Sequence, residues 1–126
     1  MDFVQFEIAK KLKEKGFRGK VNAYYGKHEN IFDVHPALDM NDCDYSASAP
    51  TISQVLKWLR EEHHVHFEII GAAYGYNLII SDTPDKGGTD RYFSHANYDG
   101  TNDGGAWDSY EECVLYGIEY VLDNLI

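Results

Sequence analysis

The sequence predicts an α+β fold: a small, mostly antiparallel sheet with helices packed on one face, in the order α-β-(β)-α-β-β-(β)-α. Three observations predict it. Apolar residues recur at helical spacing in three segments, near the start, after Pro50 and at the end. Short runs between them alternate apolar and polar residues, as half-buried strands do. Helical and strand segments fall into separate stretches, the pattern of helices covering an antiparallel sheet.

The first helix is expected over residues 3–15, where Phe3, Phe6, Ala9 and Leu12 approximate one stripe and lysines gather near the end. Gly16 is its natural stop. Val21–Tyr25 reads as a strand, 26–30 as a turn and Ile31–Val34 as a return strand. Residues 35–50, with two prolines and several Asp, Asn and Ser, read as a loop. Thr51 is the expected N-cap of the second helix, with Gln54 as its capping-box partner. Ile52, Val55, Leu56 and Leu59 mark its buried face, and His63 or His64 ends it. His64–Ile70 and Tyr76–Ser81 then read as an antiparallel hairpin around a 71–75 turn region. Residues 82–108 are rich in Gly, Asp, Asn and Ser, with a short strand expected at Arg91–His95. Ser109 and Glu112 repeat the capping-box pattern, with Asp108 as a rival cap, before a last helix over 110–125. That helix buries Cys113, Val114, Gly117, Ile118, Val121 and Leu122, and Gly117 permits close approach to the sheet.

A length of 126 residues with 44% hydrophobic content predicts one domain, residues 1–126, able to fold without disulfide or metal. No apolar run approaches the roughly 20 residues of a membrane span. The opening residues lack the apolar core of a secretory signal. The two cysteines, Cys43 and Cys113, have no metal-like spacing and read as reduced thiols of a cytoplasmic protein. The net charge is −10, and it is uneven: residues 1–20 hold six basic against three acidic residues, residues 64–126 two against eleven. An acidic surface repels nucleic-acid phosphates and steers towards basic partners. Residues 51–125 share the α-β-β-β-α order of a double-stranded RNA-binding domain. They carry only Lys57, Arg60, Lys86 and Arg91 against thirteen acids, so direct nucleic-acid binding is not expected.

The blocks VQFEIAKKLKEKGF, APTISQVLKWLREEHHVHFEII and SYEECVLYGIEYVLDNLI, in this order, resemble a family of small uncharacterised proteins of phages, prophages and mobile elements of anaerobic gut bacteria. The resemblance covers the chain except the middle loops at 27–49 and 82–107. It implies a setting in the bacterial cytoplasm and carries over no catalytic residue; Trp58, Leu59 and Arg60 match within a helix, and Ser109, Tyr110, Glu111 and Glu112 match as a helix start.

Two constellations are candidate sites. On the expected strand His64, His66 and Glu68 share one face, and an H-x-H pair beside a carboxylate is metal-binding chemistry. His63, His28, His35 or His95 would complete the set. Same-face positions about 6.8 Å apart reach a single ion poorly, and a solvated strand face tolerates histidine equally well. The segment Asp99–Gly104 has the composition of a calcium loop, but Tyr110 stands where an EF-hand needs glutamate. No nucleophile elbow, phosphate loop or dinucleotide motif is present, and Cys43 has only His35 nearby in sequence.

The second constellation is the acidic, aromatic stretch: Asp82, Asp85, Asp90, Asp99, Asp103 and Asp108, with Tyr92, Tyr98 and Trp107 as anchors. Ten tyrosines in this chain suit an interface as well as a sheet. The expectation is a non-enzymatic accessory protein with no cofactor, binding a basic, nucleic-acid-binding protein partner. The alternative is a metal-binding module or metal-dependent enzyme on His64, His66 and Glu68. A homo-oligomer is a third reading.

Overall fold

A computed structural model of the chain describes residues 3–72, 75–93 and 107–126, with side-chain surroundings given for all of these but residues 72 and 93. The elements are α1 (Phe6–Glu14), β1 (Val21–Tyr25), β2 (Ile31–Leu38), a 3-10 turn (Met40–Asp42), β3 (Ala47–Ser48), α2 (Ile52–Glu62), β4 (Val65–Ala72), β5 (Gly75–Asp82), a 3-10 turn (Pro84–Lys86), β6 (Asp90–Phe93) and α3 (Tyr110–Asn124). The strands form two antiparallel three-stranded sheets, ordered β2-β1-β3 and β4-β5-β6. The fold is α+β, with two small sheets in place of the single expected one. The chain divides into two compact units, residues 1–58 with 122–126, and residues 59–121. None of the described helices is long and apolar enough to cross a membrane.

In the first unit α1 starts at Phe6, three residues later than its apolar spacing predicts. The Val4 N–H donates to the Pro50 carbonyl at 2.9 Å, and Phe3 bridges Thr51, so these residues run extended. Gln5 closes that segment in an extended conformation and donates no side-chain cap. Gly16 ends the helix as expected: its φ of +89° is a left-handed conformation that favours glycine, and the next N–H, of Phe17, returns to the Leu12 carbonyl. Ile8, Ala9 and Leu12 are buried, together with Val4, Phe17, Val21, Ala23, Ala49 and Val55.

The expected loop over 35–50 is largely ordered structure. β2 continues to Leu38, through a cis His35–Pro36 peptide, and β3 adds a third strand against β1. Between them the 3-10 turn is held by Asn41, a buried side chain satisfied at both ends. Its amide donates to the Phe17 carbonyl at 2.8 Å and its oxygen accepts the Ser48 N–H at 2.8 Å. The capping box of α2 forms reciprocally: Gln54 N–H donates to Thr51 Oγ1 at 3.2 Å, and Thr51 N–H donates to Gln54 Oε1 at 2.8 Å.

In the second unit β4 and β5 pair in unbroken register from Val65↔Asp82 to Ala72↔Gly75, and β6 lies along the other side of β5. The central strand buries Leu78 and Ile80. α3 buries Cys113, Val114, Gly117 and Ile118, as its periodicity predicts. Its start is capped by Ser109 Oγ, which accepts the Glu112 N–H at 3.1 Å. Phe67 and Leu78 lie close over Gly117, the expected tight contact between helix and sheet.

Candidate functional site

The strand expected to present His64, His66 and Glu68 starts one residue later than predicted, at Val65. His64 stands before it with φ +56°, in the left-handed region, and its carbonyl accepts the Thr83 N–H at 2.9 Å. The alternation of side chains therefore begins beyond His64 and places only His66 and Glu68 on a common face. His66 is half-buried opposite Ser81, and Glu68 is exposed opposite Ile79. Among the described residues no group of three His, Cys, Asp or Glu side chains is placed to hold a metal ion.

Of the acidic and aromatic candidates, Tyr98, Asp99 and Asp103 lie outside the described residues, as do His95 and the calcium-like segment 99–104. Asp82 ends β5 and pairs with Arg91 of β6 at 3.2 Å. Asp85 lies in the 3-10 turn after β5. Asp90 opens β6, and Asp108 is exposed just ahead of α3.

Tyr92 and Trp107 belong to one aromatic cluster. The Tyr92 ring centroid is 4.6 Å from Tyr120 and 5.9 Å from Tyr116, and the Trp107 ring is 4.8 Å from Tyr116. Trp107 is held by the backbone: its carbonyl accepts the Tyr76 N–H at 2.8 Å, and its own N–H donates to the Tyr76 carbonyl at 3.2 Å. Tyr110 packs edge-on against Tyr76 at 6.1 Å. Burial, reinforced by a hydrogen bond with Tyr116, pushes the Tyr92 phenol up to about 12. It stays protonated at neutral pH, which suits it to stacking and hydrogen bonding rather than to proton transfer. Tyr116 and Tyr110 remain 42% and 46% exposed, so the cluster reaches the surface instead of closing into the core. Sequence reasoning missed Tyr116 and Tyr120 as members. Their spacing of four on α3, which stacks them on one helical face, was the available signal.

A concavity lies in the first unit. It has a volume of about 260 Å³ and is lined by Phe6, Tyr25 and Tyr45, by Lys10, Lys13 and Lys27, and by Asp44. One of its three lysines is spent on structure: Lys13 Nζ donates to the carbonyls of Cys43 at 2.6 Å and Ser46 at 2.7 Å. Lys10 Nζ stands 5.4 Å over the Phe6 ring. The Tyr25 hydroxyl donates to the Val4 carbonyl at 2.7 Å.

Comparison with protein-family models, curated proteins and solved structures found no match.

Proposed function

We propose that this chain is a small accessory protein of a phage or mobile element that acts in the bacterial cytoplasm by binding a basic protein partner, itself a nucleic-acid-binding protein, and that it does no chemistry of its own. The observation that carries the reading is the surface-reaching cluster of Tyr92, Trp107, Tyr116 and Tyr120 on a strongly acidic unit. The two units differ sharply in charge. Residues 59–121 hold three basic and twelve acidic residues, whereas residues 1–58 with 122–126 hold eight and nine. Asp108, Glu111 and Glu112 are exposed at the start of α3 and supply negative charge close in sequence to the aromatic residues. Aromatic anchors within a charged surround are the usual anatomy of a protein interface, the rings carrying affinity and the charges steering encounter. The setting rests on the family resemblance of the three sequence blocks.

The test is capture of partners from a host lysate, followed by titration with the purified partner. A basic protein is expected, bound at least tenfold more weakly by Tyr116→Ala and by the triple reversal of Asp108, Glu111 and Glu112 to lysine. Recovery of no basic protein, or unchanged affinity in both variants, ends the proposal.

A further inference from the structure

The concavity of the first unit shares no residue with the acidic aromatic face of the second. Three segments build it. α1 contributes Phe6, Lys10 and Lys13, whose spacings of four and three set them on one helical face. The end of β1 and the turn after it contribute Tyr25 and Lys27, and the stretch leading into β3 contributes Asp44 and Tyr45.

One aromatic wall is built into the fold. The Phe6 and Tyr25 rings pack edge to face with centroids 5.5 Å apart, and both are half-buried. The Tyr25 hydroxyl is committed to the Val4 carbonyl, which holds that ring in place. Tyr45 differs. It lines the same space yet is 70% exposed, more than any other large apolar or aromatic side chain of the described residues. A ring left in water beside an aromatic wall buries area by closing on a planar guest.

The charge here is opposite to that of the whole chain. Three lysines and one aspartate line the concavity, a local balance of +2 where the net charge is −10. Lys13 Nζ spends two of its three N–H groups on the Cys43 and Ser46 carbonyls, which ties the Tyr45 stretch to α1 and leaves one donor. Lys10 Nζ, 5.4 Å over the Phe6 ring, sets charge directly beside the aromatic wall. Lys10 and Lys27 are both exposed.

We infer that this concavity binds a small phosphate monoester carrying a single aromatic ring. The ring lies against Phe6, Tyr25 and Tyr45, and the phosphate meets Lys10, Lys13 and Lys27. Size limits the guest to one ring. A cavity of about 150 Å³ takes one benzene, so a volume of about 260 Å³ adds space on the order of 100 Å³ for a tetrahedral anion. Charge selects phosphate over carboxylate. A phosphate monoester carries close to two negative charges at neutral pH, which matches the local balance, and lysines bind it as point charges. The guest is independent of the acidic aromatic face and of that face's partner.

Titration calorimetry of the intact chain with phenyl phosphate reads the binding. One molecule per chain is expected, with an affinity that falls as salt is raised. Inorganic phosphate lacks the ring and phenol lacks the charge, and each is expected to bind at least about tenfold more weakly. The same loss is expected for phenyl phosphate on Tyr45→Ala and on Lys10→Gln combined with Lys27→Gln, whereas Tyr45→Phe keeps the ring and binds like the parent. Uridine monophosphate and a phosphotyrosyl peptide carry this chemistry from two sources, a free nucleotide and a modified protein, and the tighter binder identifies the source. Amide chemical shifts of the unaltered chain locate the guest without any variant: those of Tyr25, Lys27 and Tyr45 move, and those of α3 stay. No binding of phenyl phosphate at millimolar concentration overturns the inference. So does equal binding of inorganic phosphate or phenol, a folded double lysine variant that binds like the parent, or shifts that fall outside the concavity.

Discussion

Gly117 of α3 and Phe67 of β4 are in such close approach that a Cβ on the glycine would lie 2.6 Å from Cε2 of the ring, and 3.0 Å from Cδ2 of Leu78. Two effects oppose each other at this position. Alanine is the better helix former by about 1 kcal/mol, whereas forcing an extra carbon into a filled space costs about 1–3 kcal/mol. Leu78 is fully buried and has no room to withdraw, so the steric cost wins. Gly117→Ala is expected to lower unfolding stability by about 1 kcal/mol net in urea titration. In a Phe67→Leu background the loss is expected to shrink, because the nearer obstacle has gone while Leu78 remains. A stabilising Gly117→Ala in the parent chain contradicts this account.

The reciprocal bonds of Thr51 and Gln54 give a second measurable quantity. Removing either side chain leaves a first-turn N–H of α2 without its acceptor, and Thr51→Ala is expected to cost about 1 kcal/mol. Gln54→Ala is expected to cost a similar amount, since Gln54 Nε2 also donates to the Lys20 carbonyl at 3.3 Å. The two bonds hold one helix end in one geometry, so the double variant should lose less than the two single losses combined. Full additivity in a double-mutant cycle shows the bonds to be independent.

These two features were legible because their signals are local. A capping box needs four residues, and the buried face of α3 repeats within a single helix. Gly16 and Gly117 were readable for the same reason: one ends a periodic run and the other interrupts a buried stripe. The second half of β2, the short β3 and the split into two sheets depend on pairing between residues distant in sequence, where composition speaks only of turns. His64 was misplaced because nothing in HHVHFE distinguishes a strand residue from one in a left-handed junction. The aromatic site was half legible. Tyr92 and Trp107 stood out in an acidic stretch, but Tyr116 and Tyr120 read as ordinary helix residues until α3 placed them beside β6.

Asn41 is the part of the first unit that composition hid most completely. Its side chain joins the Phe17 carbonyl to the Ser48 N–H, while Ser46 Oγ donates to the Met40 carbonyl at 2.6 Å beside it. Truncation leaves a buried donor and a buried acceptor unpaired, at about 1–3 kcal/mol for each such group. Asn41→Ala is therefore expected to destabilise by about 2–4 kcal/mol in chemical denaturation. Asn41→Asp keeps the acceptor for Ser48 but sets a carboxylate against the Phe17 carbonyl, and is expected to be no better tolerated at neutral pH. A loss under about 1 kcal/mol for both would mean that water replaces the amide at little cost.

Alkaline pH should weaken the fold, and the titrating groups give the window. Burial pushes the Cys113 thiol up from its ordinary 9.0 to about 11. Burial and the Tyr116 hydrogen bond push Tyr92 from 10.0 to about 12. Burial raises the Tyr25 phenol as well. Each is an acid whose neutral form is favoured by folding, so the unfolded chain loses its protons first as pH rises. The unfolded state then binds fewer protons than the folded one, and unfolding stability falls with pH. The contribution of Cys113 is present in full below about pH 9 and is lost between about 9 and 11; that of Tyr92 is lost between about 10 and 12. Urea titrations at half-unit intervals should show little contribution from these groups near neutrality and a decline that starts close to pH 9. Cys113→Ser lowers stability at every pH by placing a hydroxyl in the core, but serine does not titrate in this range, so the decline should begin about one unit higher. Tyr92→Phe should leave the onset in place and flatten the curve above pH 10. An onset unmoved by Cys113→Ser assigns the alkaline loss to other groups.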